Sequence, residues 1–125
     1  MTDFDYIDIS LELDQKGLIW HPEIGDEVSL RNGERHVSIL VDPQGLTAEE
    51  LRQSFFWLPS VEQLILQIEE RNGLIYHAGI NEFLEYEAII KIHDGLIEAK
   101  APSLREAFGI ALTSIITESI TSSLH

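Results

Sequence analysis

Residues 85–116 constrain the fold more than any other stretch. In "EYEAIIKIHDGLIEAKA" the apolar residues Ile90 and Ile92 flank Lys91, while Ile97 and Ala99 flank Glu98. Alternation with period two belongs to strands that bury one face. Asp94-Gly95 between them is a preferred two-residue hairpin turn. Pairing outward from it sets His93 opposite Leu96, Ile92 opposite Ile97, Lys91 opposite Glu98 and Ile90 opposite Ala99. Lys91 and Glu98 then form a cross-strand ion pair on one face, and the apolar side chains share the other. Directly after this hairpin, "SLRE" at Ser103 has the pattern of a helix capping box. Leu104, Ala107, Phe108, Ala111, Leu112, Ile115 and Ile116 follow at three-and-four spacing. A helix with so broad an apolar stripe needs a surface to cover, and the one-sided hairpin beside it supplies one.

The rest of the chain reads as further short elements. "YIDISLEL" (6–13) alternates, with Ile7, Ile9, Leu11 and Leu13 on one side, and predicts a strand. "DQKG" turns the chain, and "LIW" (18–20) returns as a short second strand. "HPEIG" is a loop, broken by Pro22 and Gly25. "DEVSLR" and "ERHVSILV" flank Asn32-Gly33, the dipeptide suited to a type I′ turn, so Arg31 is expected opposite Glu34 and Val28 opposite Val37. "DPQG" (42–45) ends that strand.

Two capping boxes then predict two helices, Thr47 reciprocated by Glu50 and Ser60 by Gln63, with Pro59 between them. The second carries Val61, Leu64, Ile65 and Ile68 on one face and closes at Asn72-Gly73. "LIYHAG" precedes the final hairpin as another strand. The expected order is β-β-β-β-α-α-β-β-β-α. It defines one α+β domain over 1–125, a largely antiparallel sheet covered by helices, with a β-rich part (1–45) and an ααβββα part (46–125). At 125 residues the chain has about the usual size for one domain.

Charge and composition exclude several functions. Eight basic residues stand against 22 acidic ones, a formal net charge of −14. Such a surface repels nucleic-acid phosphates and anionic membranes, so neither is an expected partner. The chain has no cysteine, which removes disulfides and thiolate chemistry and suits a cytoplasmic location. No long apolar run is present, and "MTDFDYIDIS" is acidic where a signal peptide is basic.

Few residues qualify for chemistry. His93 falls on the charged face beside the turn. A general base needs a shielded site and an orienting partner, so His93–Asp94 reads as a hairpin corner. His21, Glu23, Asp26 and Glu27 in "HPEIGDE" are metal-ligating types, but one local segment seldom completes a shell and no HExxH or calcium-loop spacing accompanies them. There is no glycine-rich phosphate loop and no GxSxG elbow. The expectation is no catalytic residue, no metal and no cofactor.

Two stretches point to protein partners. Phe55, Phe56 and Trp57 in "SFFWLP" cannot all face one core from a single helix, and a protruding aromatic is a frequent interface anchor. On the last helix Thr113, Ser114 and Thr117 lie opposite the apolar stripe, and Ile120 extends apolar character toward the end. A weakly polar second face suits packing against a second copy. Phe55, Phe56, Trp57, Thr113, Thr117 and Ile120 are therefore the candidate interface residues.

Residues 58–120 run helix, three strands, helix, and "APSLREAFGIAL" leads from the last strand into the final helix. In this order the segment resembles double-stranded-RNA-binding domains and small phage-type α-β-α sandwich domains. The resemblance implies a topology. It does not bring RNA binding with it, because the basic cluster expected at the final helix start is here Arg105 followed by Glu106, and phosphate contact needs cations. The function expected from the sequence is non-catalytic protein–protein interaction, with a homodimer as the first case. The alternatives are an acidic nucleic-acid mimic, and an enzyme or small-ligand binder whose site comes together only in the fold.

Overall fold

The structure, a computed structural model, describes residues 3–123, with side chains from Tyr6 to Glu118. The elements in chain order are α1 (Asp3–Gln15), β1 (Glu27–Leu30), β2 (Val37–Ile39), α2 (Ala48–Ser54), β3 (Phe55–Leu58), α3 (Val61–Glu70), β4 (Leu74–Ile80), β5 (Tyr86–Ile92), β6 (Gly95–Ala101) and α4 (Leu104–Ser123). The class is α+β. The chain divides into two compact units, one running to Pro59 and one beginning at Ser60, each with its own three-stranded antiparallel sheet. The division falls at Pro59–Ser60, since β3 returns to pair with β1.

In the first unit the sheet order is β2-β1-β3. Residues 6–13, expected as a strand, belong to helix α1. The buried positions are Tyr6, Ile7, Ser10 and Leu13, a helical spacing, whereas Ile9 and Leu11 of the alternating set are only half-buried. The same eight residues carry both periodicities, and packing against β3 selects the helical one. Tyr6 anchors the helix by donating its hydroxyl to the Pro59 carbonyl at 2.6 Å.

The expected strand at 18–20 does not form. Leu18 and Trp20 are buried on either side of exposed Ile19, but the Trp20 carbonyl accepts from Arg52 Nε at 2.7 Å and takes no ladder partner. The β1–β2 hairpin forms one residue out of the expected register, with Ser29 opposite Val37 and Val28 opposite Ser38. A one-residue slip exchanges faces, so something must enforce it. Gly33 (φ 86°) and Arg35 (φ 56°) both take left-handed conformations in the loop, which is wider than a two-residue turn. Arg31 is drawn toward α1 and α2, with Nη1 and Nη2 donating to Asp14 and Nε to the Arg52 carbonyl, while Arg35 Nη1 donates to Asp8.

α2 begins at the expected capping box, Glu50 N donating to Thr47 Oγ1 at 3.1 Å and Thr47 N to Glu50 Oε1 at 3.0 Å. Those bonds with Thr47 hold the exposed Glu50 carboxyl below the usual carboxylate range. β3 went unseen in the sequence. It pairs Phe55 with Leu30, Phe56 with Ser29 and Trp57 with Val28, so consecutive aromatics alternate between the two sheet faces.

In the second unit α3 starts at the Ser60–Gln63 box and buries Leu64 and Ile68. It ends where Asn72 turns left-handed (φ 65°) and Gly73 N donates to the Ile68 carbonyl. Glycine is needed at 73, since a Cβ there would lie 2.7 Å from Ile68 Cγ2. β4, β5 and β6 form a meander in that order. The final hairpin pairs Ile90 with Ile97, Lys91 with Leu96 and Ile92 with Gly95, so His93 and Asp94 are the central turn residues. The expected Lys91–Glu98 and Ile90–Ala99 pairings are thus shifted by two. A shift of two keeps every side chain on its face: Ile90, Ile97 and Ala99 are buried as expected, Ile92 next to the turn is only half-buried, and Lys91 and Glu98 are exposed. Opposite charges still meet across the strands, at Glu87 and Lys100.

α4 opens at Ser103, whose Oγ accepts from Glu106 N at 3.1 Å and donates to Glu106 Oε2 at 2.7 Å. Its stripe from Ala107 to Ile116 is buried as the spacing predicts, against β5, β6 and α3. The order helix, three strands, helix read from the sequence is present. Among the described residues, no helix is long and apolar enough to cross a membrane.

Candidate functional site

The far end of the β4–β5 hairpin gathers apolar side chains that the core does not use. Ile80 and Tyr86 are the last cross-strand pair. Between them, "NEFLE" is closed by Asn81, whose Oδ1 accepts from Phe83 N at 2.9 Å and Glu85 N at 3.0 Å, and whose own N donates to the Glu85 carbonyl at 2.8 Å. This is the local side-chain-to-backbone bonding for which asparagine is suited in turns. It fixes the loop so that Phe83 is 72% and Leu84 79% exposed.

Leu84 also holds φ 61°, a left-handed conformation that is uncommon for a leucine. Tyr76, Ile80 and Leu74 on β4 are exposed as well. β4 is an edge of its sheet, and no Asp, Glu, Lys or Arg occurs in "LIYHAGI". The opposite edge, β6, carries exposed Glu98 and Lys100, the kind of charge that blunts strand pairing. Leu74 and Leu96 flank Lys91 on the sheet face away from α4, and His77 Nε2 lies 3.4 Å from Glu87 Oε1 on the same face.

The sequence-derived candidates are placed differently. Phe56 and Trp57 are buried in β3 and Phe55 is half-buried, so this segment offers no protruding anchor. The correction follows from the missed strand: pairing with β1 gives each aromatic a sheet face to fill. Thr113 and Thr117 are half-buried on α4, and their hydroxyls donate to the carbonyls of Gly109 and Thr113. Those hydroxyls are satisfied within the helix and leave the surface weakly polar. The side chain of Ile120 lies outside the described residues.

His93 projects from its turn with its side chain 97% exposed, and Nε2 is 3.7 Å from Asp94 Oδ1, too long for a hydrogen bond. His93→Ala is expected to change stability by no more than ~0.5 kcal/mol in urea unfolding, as for other exposed positions. A loss above ~2 kcal/mol would contradict this solvated corner. In "HPEIGDE", Asp26 is committed inward, its Oδ2 accepting from Trp20 Nε1 at 2.9 Å and Glu23 N at 3.0 Å, while His21 and Glu23 are exposed. Among the described residues, no group of three or more His, Asp or Glu is placed to hold a metal ion.

Sequence reasoning did not pick out Tyr76, Ile80, Phe83, Leu84 or Tyr86. The available signal was "EFLE", two large apolar residues between glutamates in a segment that joins two strands. No protein-family model matches the chain, and neither does any curated protein or solved structure.

Proposed function

We propose that the protein acts by binding other protein chains through the apolar end of the β4–β5 hairpin, with a second copy of itself as partner. The observation that carries this is the display of Phe83 and Leu84 on a turn closed by Asn81. Aromatic and aliphatic anchors dominate interface energies, and a pre-closed loop has little ordering left to lose on binding. The uncharged β4 edge beside it provides backbone donors and acceptors for antiparallel pairing with an identical edge across a twofold axis. Two chains of −14 repel, but at ~0.15 M salt that repulsion is screened beyond ~8 Å, and apolar contact acts at shorter range.

Duplex RNA has no part in this function, since Arg105 at the start of α4 is followed by Glu106, which is bonded to Ser103. The chain's lack of cysteine fits action in the reducing cytoplasm.

Light scattering at micromolar concentration in physiological salt tests self-association. The expected mass is twice the 14.2 kDa of one chain. Phe83→Asp or Leu84→Asp should return it to a single chain, because a charge would then be buried without a partner. Thr117→Glu should leave the dimer intact, and dissociation by that variant alone would move the interface to α4. A single-chain mass for the unaltered protein throughout a dilution series would remove the self-association.

A further inference from the structure

We propose that the groove between α1 and the β1–β3 face is a binding site for a small amphipathic monocarboxylate. The groove lies wholly within the unit that ends at Pro59 and is independent of the β4–β5 surface. Its volume is 380 Å³. Its walls are apolar, Ile7 and Leu11 one turn apart on α1 facing Phe56 of the sheet.

Two features distinguish it from a packing fault. The first is Ser29. It stands opposite Phe56 in the strand register, so both side chains lie on the face that looks into the groove. Ser29 is 0% exposed, and its Oγ has no hydrogen-bond partner. Buried hydroxyls are nearly always paired, and a ligand head group reaching this depth would supply the missing bond.

The second feature is that Arg31 and Arg35, two of only eight basic residues in the chain, both line this groove. Each is held in place by an acid, Arg31 by Asp14 and Arg35 by Asp8. Arg31 uses Nε on the Arg52 carbonyl and one N–H each from Nη1 and Nη2 on Asp14, three of the five donors a guanidinium has. Two remain to receive another acceptor.

The charge count selects the ligand. With Arg31 and Arg35 each already paired to an acid, a dianionic head would meet net repulsion from a −14 chain. A single carboxylate can take one of the remaining Arg31 N–H groups with the least opposition. The apolar walls ask for a hydrocarbon body. At ~30 Å³ per non-hydrogen atom, the groove holds roughly a dozen atoms, the size of a ten-carbon straight-chain acid.

The test is isothermal titration of the full chain with decanoate and with 1-decanol. Decanoate is expected to bind one to one, and the alcohol about tenfold more weakly, the factor of one charge-assisted hydrogen bond. Arg31→Gln should weaken decanoate by about the same factor and leave the alcohol unchanged. Leu11→Trp fills the groove from a half-buried position and should abolish binding of both, with circular dichroism confirming that the helices persist. The proposal is overturned by absence of decanoate binding at about 1 mM, by equal affinity for acid and alcohol, or by binding that survives Leu11→Trp.

Discussion

Phe108→Ala is expected to destabilise the unit that begins at Ser60 by about 3–5 kcal/mol, the range for deleting a buried aromatic ring. Phe108 is essentially inaccessible at the middle of the α4 stripe, between Ala107 and Ala111, which are also fully buried. Small neighbours let α4 approach β5 and β6 closely, and they have no side-chain length with which to refill the space. The measurement is urea unfolding followed by circular dichroism, where the midpoint should fall at unchanged slope. Phe108→Leu should retain most of the volume and lose about half as much or less. A loss below ~1 kcal/mol for the alanine variant would mean that this stripe does not carry the core.

Asp26→Ala should cost the first unit about 2–4 kcal/mol, although the sequence places Asp26 in an acidic loop. Its carboxylate is buried and accepts hydrogen bonds from the Trp20 indole and the Glu23 amide. Removing it strands a buried indole N–H, which costs ~1–3 kcal/mol when unpaired, and takes the partner of the part-buried Glu23 amide. Asp26→Asn keeps an oxygen for the indole and should lose less. Tryptophan emission reports this unit directly, since Trp20 and Trp57 both lie in it. A change within ~0.5 kcal/mol for Asp26→Ala would mean that residues 21–27 are a merely solvated loop.

The candidate interface was only partly visible in advance. The sequence pointed to Phe55–Trp57 because three aromatics in a row exceed what one helix face buries. A strand buries them on two faces, and this strand exists only because β1, more than twenty residues earlier, lies beside it. Phe83 and Leu84 gave a weaker signal, two apolar residues in a turn, since exposure depends on what the remaining chain leaves uncovered. The groove walls could not be read at all, because Leu11, Ser29, Arg35 and Phe56 share no motif and meet only after α1 packs on the sheet.

What the sequence by itself determined is whatever closes within a few residues. The Thr47–Glu50 and Ser60–Gln63 boxes formed as written, because each donor and acceptor lies within one helical turn. The faces of β5 and β6 and the buried stripe of α4 also followed, since side-chain direction repeats with a fixed period. The tertiary structure decided the rest. It chose helix over strand for residues 6–13, where both periods coexist and only the packing partner separates them. It moved the Asn32-Gly33 hairpin by one residue, as Arg31 and Arg35 bond to acids on α1 instead of following the local turn preference. Local hydrogen bonds and periodicity are encoded in neighbours along the chain; register, β3 and every exposed surface depend on contacts between residues far apart in it.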